Sequence, residues 1–235
     1  PDIRCTALNK GSTVSSGHYV MYWMTAARRT EWNFGLEHAI ARANQLGKPL
    51  LVLEALRVGY QWANDRHHSF VLAGMADNAA AFAAAKITYL PYVEPTPGAG
   101  AGLFEALAAA AALIVVDEFP CFFLPRMVAA AAARVAVRVE SIDGNGVMPL
   151  RATAQAYPTA ASFRRHWQKV IHPHLLQFPV AAPLTHPSAK AVRNAVVPAN
   201  ILQRWPMAAT AALTNATATV ARLPIDHSVA PATFA

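Results

Sequence analysis

Acidic residues all but vanish from the last third of this sequence. Residues 151–235 hold eight Lys and Arg against one carboxylate, Asp226, whereas residues 1–150 hold twelve of each sign. The formal excess of +7 therefore sits entirely in the C-terminal third, which favours a polyanionic partner such as nucleic acid, with an acidic surface on another domain as the alternative. Cysteine is nearly as scarce. Cys5 and Cys121 lie far apart with no C-x-x-C, which argues against a disulfide framework or a zinc knuckle and fits a reducing, cytoplasmic compartment. The N-terminal stretch has no apolar signal core, and no run of about 18 non-Ala apolar residues occurs, so no membrane partner is expected.

The standard signatures of phosphate and nucleophile chemistry are missing too. No G-x-G-x-x-G follows the first apolar run, no P-loop ends in Gly-Lys-Ser/Thr, and no G-x-S-x-G elbow occurs. "GAGAG" sits behind two prolines after a later strand and is weak evidence for a phosphate cradle. His67 and His68 diverge on a helix, while His166, His172 and His174 lack an established ligand spacing, so no metal site is expected from them. Cys121 has no His or Lys nearby to activate it and is expected to be buried.

What is present is apolar and periodic. The chain is 54% hydrophobic and only 14% charged, and its alanines cluster in stretches that read as closely packing helices. Short apolar runs alternate with these helices. Strands are expected over 19–24, 49–56, 87–93, 113–119 and 135–141, and helices over about 33–46, 65–86, 101–112 and 125–134. Continuous apolar strands separated by helices predict a doubly wound, five-stranded parallel sheet, an α/β fold of Rossmann-like type. Residues 1–18 read as an N-terminal extension, 19–150 as the α/β domain, and 151–178 as a helical extension. One helix is expected near 159–171, carrying Arg164, Arg165 and Lys169 as candidates for contact with nucleic acid or another domain. From 179 to 235 proline recurs, predicting an extended basic linker with one short helix around 207–221 and little to fold against without a following domain.

In such a sheet ligands bind beyond the carboxyl ends of the strands. That selects four loops, "TAARRTEWN", "RVGYQWANDRHH", "EPTPGAGAG" and "DEFPCFFLPRM". In the last, Asp117 and Glu118 leave a strand side by side and so point to opposite sides, which argues against a shared acid and base role. Each could cap the next helix, pair with Arg126, or orient a ligand, and only one of them can face a pocket. Trp23, Trp32, Tyr60, Trp62, Phe119, Phe122 and Phe123 lie on or near these loops with Arg28, Arg29 and Arg66. Most of the rings are expected in the core, yet flat walls with a few charges suit a planar heteroaromatic ligand.

Several of these stretches resemble one family. "YWMTAARRTEWNFGLEHAIARANQLGKPLLVLEAL" resembles the opening of class II cyclobutane pyrimidine dimer photolyases, "ANDRHHSFVLAGMADNAAAF" their second helix, and "LIVVDEFPCFFLPRM" their fourth strand and loop. "ARLPIDHSVAPATF" is similar to the segment that leads toward their flavin domain. The resemblance spans nearly the whole chain but only the amino-terminal half of a complete photolyase. It departs after the fifth strand, where "ATAQAYPTAASFRRHWQKVI" replaces the family's Thr-Ile-Arg stretch.

The resemblance implies a light-driven DNA repair lyase acting on damaged DNA, in which FAD on a helical domain splits the dimer. The present residues would form its α/β antenna domain, with that FAD domain, expected beyond Ala235, as partner. A deazaflavin or folate antenna would sit by Trp23, Met24, Arg28, Asp117, Glu118 and Phe119. Other readings are a stand-alone nucleotide- or flavin-binding module without lyase activity, and an interaction subunit that kept the fold and lost the ligand.

Overall fold

A computed structural model describes residues 2–231. The fold is α/β, built on a six-stranded, mostly parallel sheet of strand order β1-β6-β5-β2-β3-β4. The strands are β1 (Cys5–Ala7), β2 (Tyr19–Trp23), β3 (Leu50–Leu56), β4 (Thr88–Val93), β5 (Ala111–Glu118) and β6 (Val139–Asp143). The last five pair in parallel and alternate with helices as expected, except that the strand expected over 135–141 begins only at Val139 and runs to Asp143. Their apolar sequences follow from position: β2 and β6 are buried at every residue, because both faces of the sheet are covered.

One face packs on α1 (Phe34–Leu46) and the end of α2 (Asp65–Ala85), through Val20, Tyr22, Val52, Leu36, Ile40 and Phe82. The other packs on α3 (Leu103–Ala108) and α4 (Leu124–Ala132), through Met21, Trp23, Leu53, Phe104, Leu107 and Val128. This agrees in outline with the doubly wound arrangement expected. Local signals set the helix ends. The Asn33 side chain accepts the Leu36 amide to start α1, Gly47 closes it at a left-handed φ of 62°, and Asn64 caps α2 through the His67 amide.

Three expectations need revision. First, the N-terminal stretch joins the sheet: β1 pairs antiparallel with β6 at its edge. Arg4 pins it there, buried over the Phe34 ring and donating to the carbonyls of Asp143, Gly146 and Val147. Gly17, further along, packs so tightly that a Cβ there would stand 2.3 Å from the Ala112 nitrogen. Second, the helix expected over 101–112 ends at Ala108, and β5 takes Ala111 and Ala112 as its first residues. A run of alanines gives neither period a phase, so the boundary slid.

Third, the expected linker folds back onto the α/β body rather than extending away. Its short helices α6 (Ala199–Arg204), α7 (Thr210–Thr214) and α8 (Ala216–Val220) bury Ile201, Leu213 and Val220, and Trp205 enters the core beside α3. The Trp205 indole donates to the Ala99 carbonyl at 3.1 Å. Isolated apolar residues that drop into grooves on a preformed surface need no periodicity of their own, which is why no regular pattern announced them. The end of the segment similar to the photolyase linker, residues 232–234, lies outside the described residues. Among the described residues no helix is long and apolar enough to cross a membrane.

Candidate functional site

Beyond the carboxyl ends of β2 and β3 lies a cavity of about 530 Å³. Its floor is Trp23, Met24, Thr25, Ala55 and Leu56, where the two strands end side by side. One wall comes from the β3–α2 loop and α2, with Tyr60, Trp62, His67 and Val71; the other comes from the β5–α4 loop and α4, with Phe122, Phe123, Leu124 and Met127. The rings lock into one another. Trp62 meets Phe122 edge-on at 5.7 Å, Phe119 stacks behind Phe122, and Tyr60 lies between Phe123 and His68. Phe122 sits at φ 59°, a left-handed conformation uncommon for an aromatic residue, and its side chain is 69% exposed.

Arg28 supplies charge at this mostly apolar cavity, together with Arg57. Its guanidinium is anchored from behind, donating to Glu54 Oε1 at 3.3 Å and to the Ala55 carbonyl at 2.7 Å. Glu54 is 1% exposed and also accepts from Asn78 at 2.9 Å and from the Tyr89 hydroxyl at 2.6 Å. Burial first, then the charge of Glu54, pushes the Tyr89 phenol up, so it stays a donor. Asn78 and Tyr89 thus fix Glu54, and Glu54 fixes Arg28. Sequence reasoning missed Glu54, Asn78 and Tyr89; the carboxylate inside "PLLVLEAL", flanked by nothing polar, was the available signal.

Of the residues expected at a ligand, Trp23, Met24 and Arg28 line the cavity, whereas Asp117, Glu118 and Phe119 are not among its lining residues. Asp117 is buried and fully engaged. Its Oδ2 accepts the amides of Thr25, Ala26 and Ala27 at 2.9, 2.9 and 3.0 Å, and its Oδ1 accepts the Tyr22 hydroxyl at 2.6 Å. Burial pushes this carboxyl above its ordinary range while the donors pull it back. It holds the loop that presents Arg28. Glu118 turns the other way, to Arg151 at 2.6 Å, so neither carboxylate faces the ligand space; nor does Glu118 pair with Arg126 or cap α4, whose first turn has no side-chain cap. Phe119 stands one ring behind the wall. Cys121, expected to be buried, is exposed, because the loop after Pro120 runs over the surface.

The glycine-rich loop after β4 has its amides already occupied. Glu94, 3% exposed, accepts from Gly98 and Gly100 at 3.0 and 3.2 Å through Oε1 and from Val58 at 3.0 Å through Oε2. A built-in carboxylate takes the place a phosphate would need. His68, fully buried, faces the carbonyls of Asn64 and Arg57 with its two nitrogens and ties down the loop that carries Tyr60 and Trp62. Burial pushes its pKa below the ordinary value. Arg164, Arg165 and Lys169 lie exposed on α5 (Ala160–Val170), which buries no residue, and make no salt bridge among the described residues.

Against known proteins, a stretch of 61 residues is 48% identical to the deoxyribodipyrimidine photo-lyase of Methanothermobacter thermautotrophicus. The match takes in 26% of this chain and 14% of that protein. It supports a place in the photolyase family. No protein-family model matches the chain.

Proposed function

We propose that this chain is the α/β, antenna-type part of a DNA photolyase-like protein of the class II cyclobutane pyrimidine dimer kind. In this reading the cavity beyond β2 and β3 holds a planar heteroaromatic chromophore, a deazaflavin or a folate. The observation that carries it is the cavity itself: about 530 Å³, walled by interlocked rings, with one guanidinium held from behind by a buried carboxylate. Those features match what a flat, mostly apolar ligand with one polar edge requires, in size and in lining. Trp62, Phe122 and Tyr60 would cover the ring faces and exclude water, and Arg28 would donate to a carbonyl at the polar edge. The bound group would supply absorption of light and transfer of the excitation.

The local identity to a photo-lyase supports the family side of the proposal. Dimer splitting itself belongs, in this reading, to FAD on a separate helical domain, the partner of this one. Damaged DNA is the substrate of the whole, with Arg164, Arg165 and Lys169 of α5 available to its phosphates. The test is the absorption spectrum of the purified chain, alone and after addition of a deazaflavin, flavin mononucleotide or a reduced folate. Retention of one of these through gel filtration, with a shifted band, is expected. A chain that stays colourless and retains none of them sinks the antenna role.

A further inference from the structure

Far from that cavity, three side chains that no sequence spacing links meet beside the opposite edge of the sheet. Cys5 comes from β1, His38 from α1 and Glu140 from β6, and their donor atoms all lie within 4.8 Å of one another. The strand register explains the meeting. Ala7 pairs with Glu140, and Cys5, two residues back on the same face of β1, leans toward the same side, which α1 covers. We propose that Cys5, His38 and Glu140 bind a divalent transition-metal ion of the zinc type, and that the ion clips the edge strand β1 to α1 and β6.

The donor set selects the ion. A sulfur, an imidazole nitrogen and a carboxylate oxygen suit zinc and its neighbours, whereas magnesium and calcium require oxygen donors throughout. Thiolate and carboxylate together balance the charge of a divalent ion. The surrounding space is an open cavity of about 570 Å³ lined also by Gly11, Ser12 and Thr13, so a water has room to complete a tetrahedron.

The carboxylate is already oriented from outside. Arg138 Nε contacts Glu140 Oε1 at 2.8 Å and Arg42 Nε contacts Oε2 at 3.2 Å, the placement of second-layer partners that fix a ligating group. Their positive charge weakens binding relative to an all-cysteine site, so an exchangeable ion is expected. His38 Nε2 and Glu140 Oε2 stand 2.8 Å apart across a shared proton. Two bonds of about 2.0–2.1 Å at a tetrahedral angle need roughly 3.3 Å between those atoms. The ion replaces the proton, and the partly exposed His38 ring swings outward by a few tenths of an ångström.

Such a clip has a task here. β1 is held to β6 by three residue pairs at the sheet edge. A metal bond across Cys5, His38 and Glu140 ties that short strand to two elements far away in sequence.

The experiment uses the full chain, stripped with a chelator and titrated with Co²⁺ and then Zn²⁺. Expected are one equivalent bound, a thiolate-to-cobalt charge-transfer band with d–d bands of tetrahedral intensity, bleaching by zinc, and a higher melting temperature with zinc. Cys5→Ser should abolish the charge-transfer band, and His38→Gln should weaken zinc binding by at least about tenfold, the scale on which perturbed metal sites lose affinity. Cys121→Ser should change neither. Circular dichroism of each metal-free variant separates loss of a ligand from loss of the fold. The proposal is overturned if a folded wild-type chain gives no charge-transfer band, or if a folded Cys5→Ser variant binds zinc as the wild type does.

Discussion

Asp117 and Glu118 are neighbours with the same chemistry and opposite environments. The first is 4% exposed and accepts four hydrogen bonds, the second is an outer partner of Arg151. Asp117→Asn would turn an amide N–H toward backbone N–H groups and leave at least one buried donor without an acceptor. A loss on the order of 2–3 kcal/mol in stability is expected, read by urea unfolding. Because the released loop carries Arg28, ligand affinity should fall with it. Glu118→Gln, by contrast, breaks an exposed pair and should cost less than about 1 kcal/mol. Equal effects of the two substitutions would contradict the positioning role given to Asp117.

His68 makes a separate, pH-dependent prediction. Its pKa is lowered from 6.5, by burial first, against the two carbonyls that raise it. The unfolded chain therefore takes up a proton that the folded chain refuses. Its contribution to stability is present above pH 6.5 and is lost as pH falls from there through the folded pKa. Melting temperatures between pH 7 and 5 should drop more steeply for the wild type than for His68→Gln. A parallel pair of curves would remove His68 from this account. At this scale the sequence revealed that Asp117 and Glu118 diverge, since neighbours on a strand alternate. It did not reveal which one is buried, because that depends on the loop after β2, ninety residues earlier in the chain.

Among the elements, the five parallel strands and the long helices were legible because continuous apolar runs and Asn and Gly caps carry their own signals. β1 was not: three residues are too few to display a period, and only the pairing with β6 gives them a partner. Of the helices after residue 198, α7 and α8 fall within the one short helix expected around 207–221, whereas α6 carried no signal, and each of the three buries one residue against a surface made elsewhere. α5 is the opposite case. Its span and its basic side chains were both readable, and Arg164, Arg165 and Lys169 stay exposed while Tyr157 packs on Phe163 and His166. If Arg164, Arg165 and Lys169 meet phosphates, replacing all three by Ala should reduce the salt slope of DNA binding by up to about 3. The assay is filter binding or anisotropy at several salt concentrations, and an unchanged slope would assign α5 to another partner.

Across the whole molecule, one sheet carries two separate clusters of side chains. Beyond the carboxyl ends of the inner strands β2 and β3 lies the aromatic cavity; at the β1 edge, β1, α1 and β6 bring Cys5, His38 and Glu140 together. That Trp23, Met24 and Arg28 line the cavity was foreseeable, because clefts in open α/β sheets lie beyond the carboxyl ends of the strands. Its supports were not. Glu54, Asn78 and Tyr89 come from β3, α2 and β4 and meet only in the folded chain.

The central claim is that this cavity binds a planar heteroaromatic ligand through Arg28, and the most direct measurement is energy transfer from tryptophan to added ligand. Trp23 and Trp62 line the cavity, so titration with a deazaflavin, flavin mononucleotide or a folate should quench their emission with a saturable, one-to-one response. Arg28→Met should weaken the response by about tenfold, the worth of one charge-assisted hydrogen bond. No saturable quenching by any of the three, or the same affinity in Arg28→Met, would contradict it.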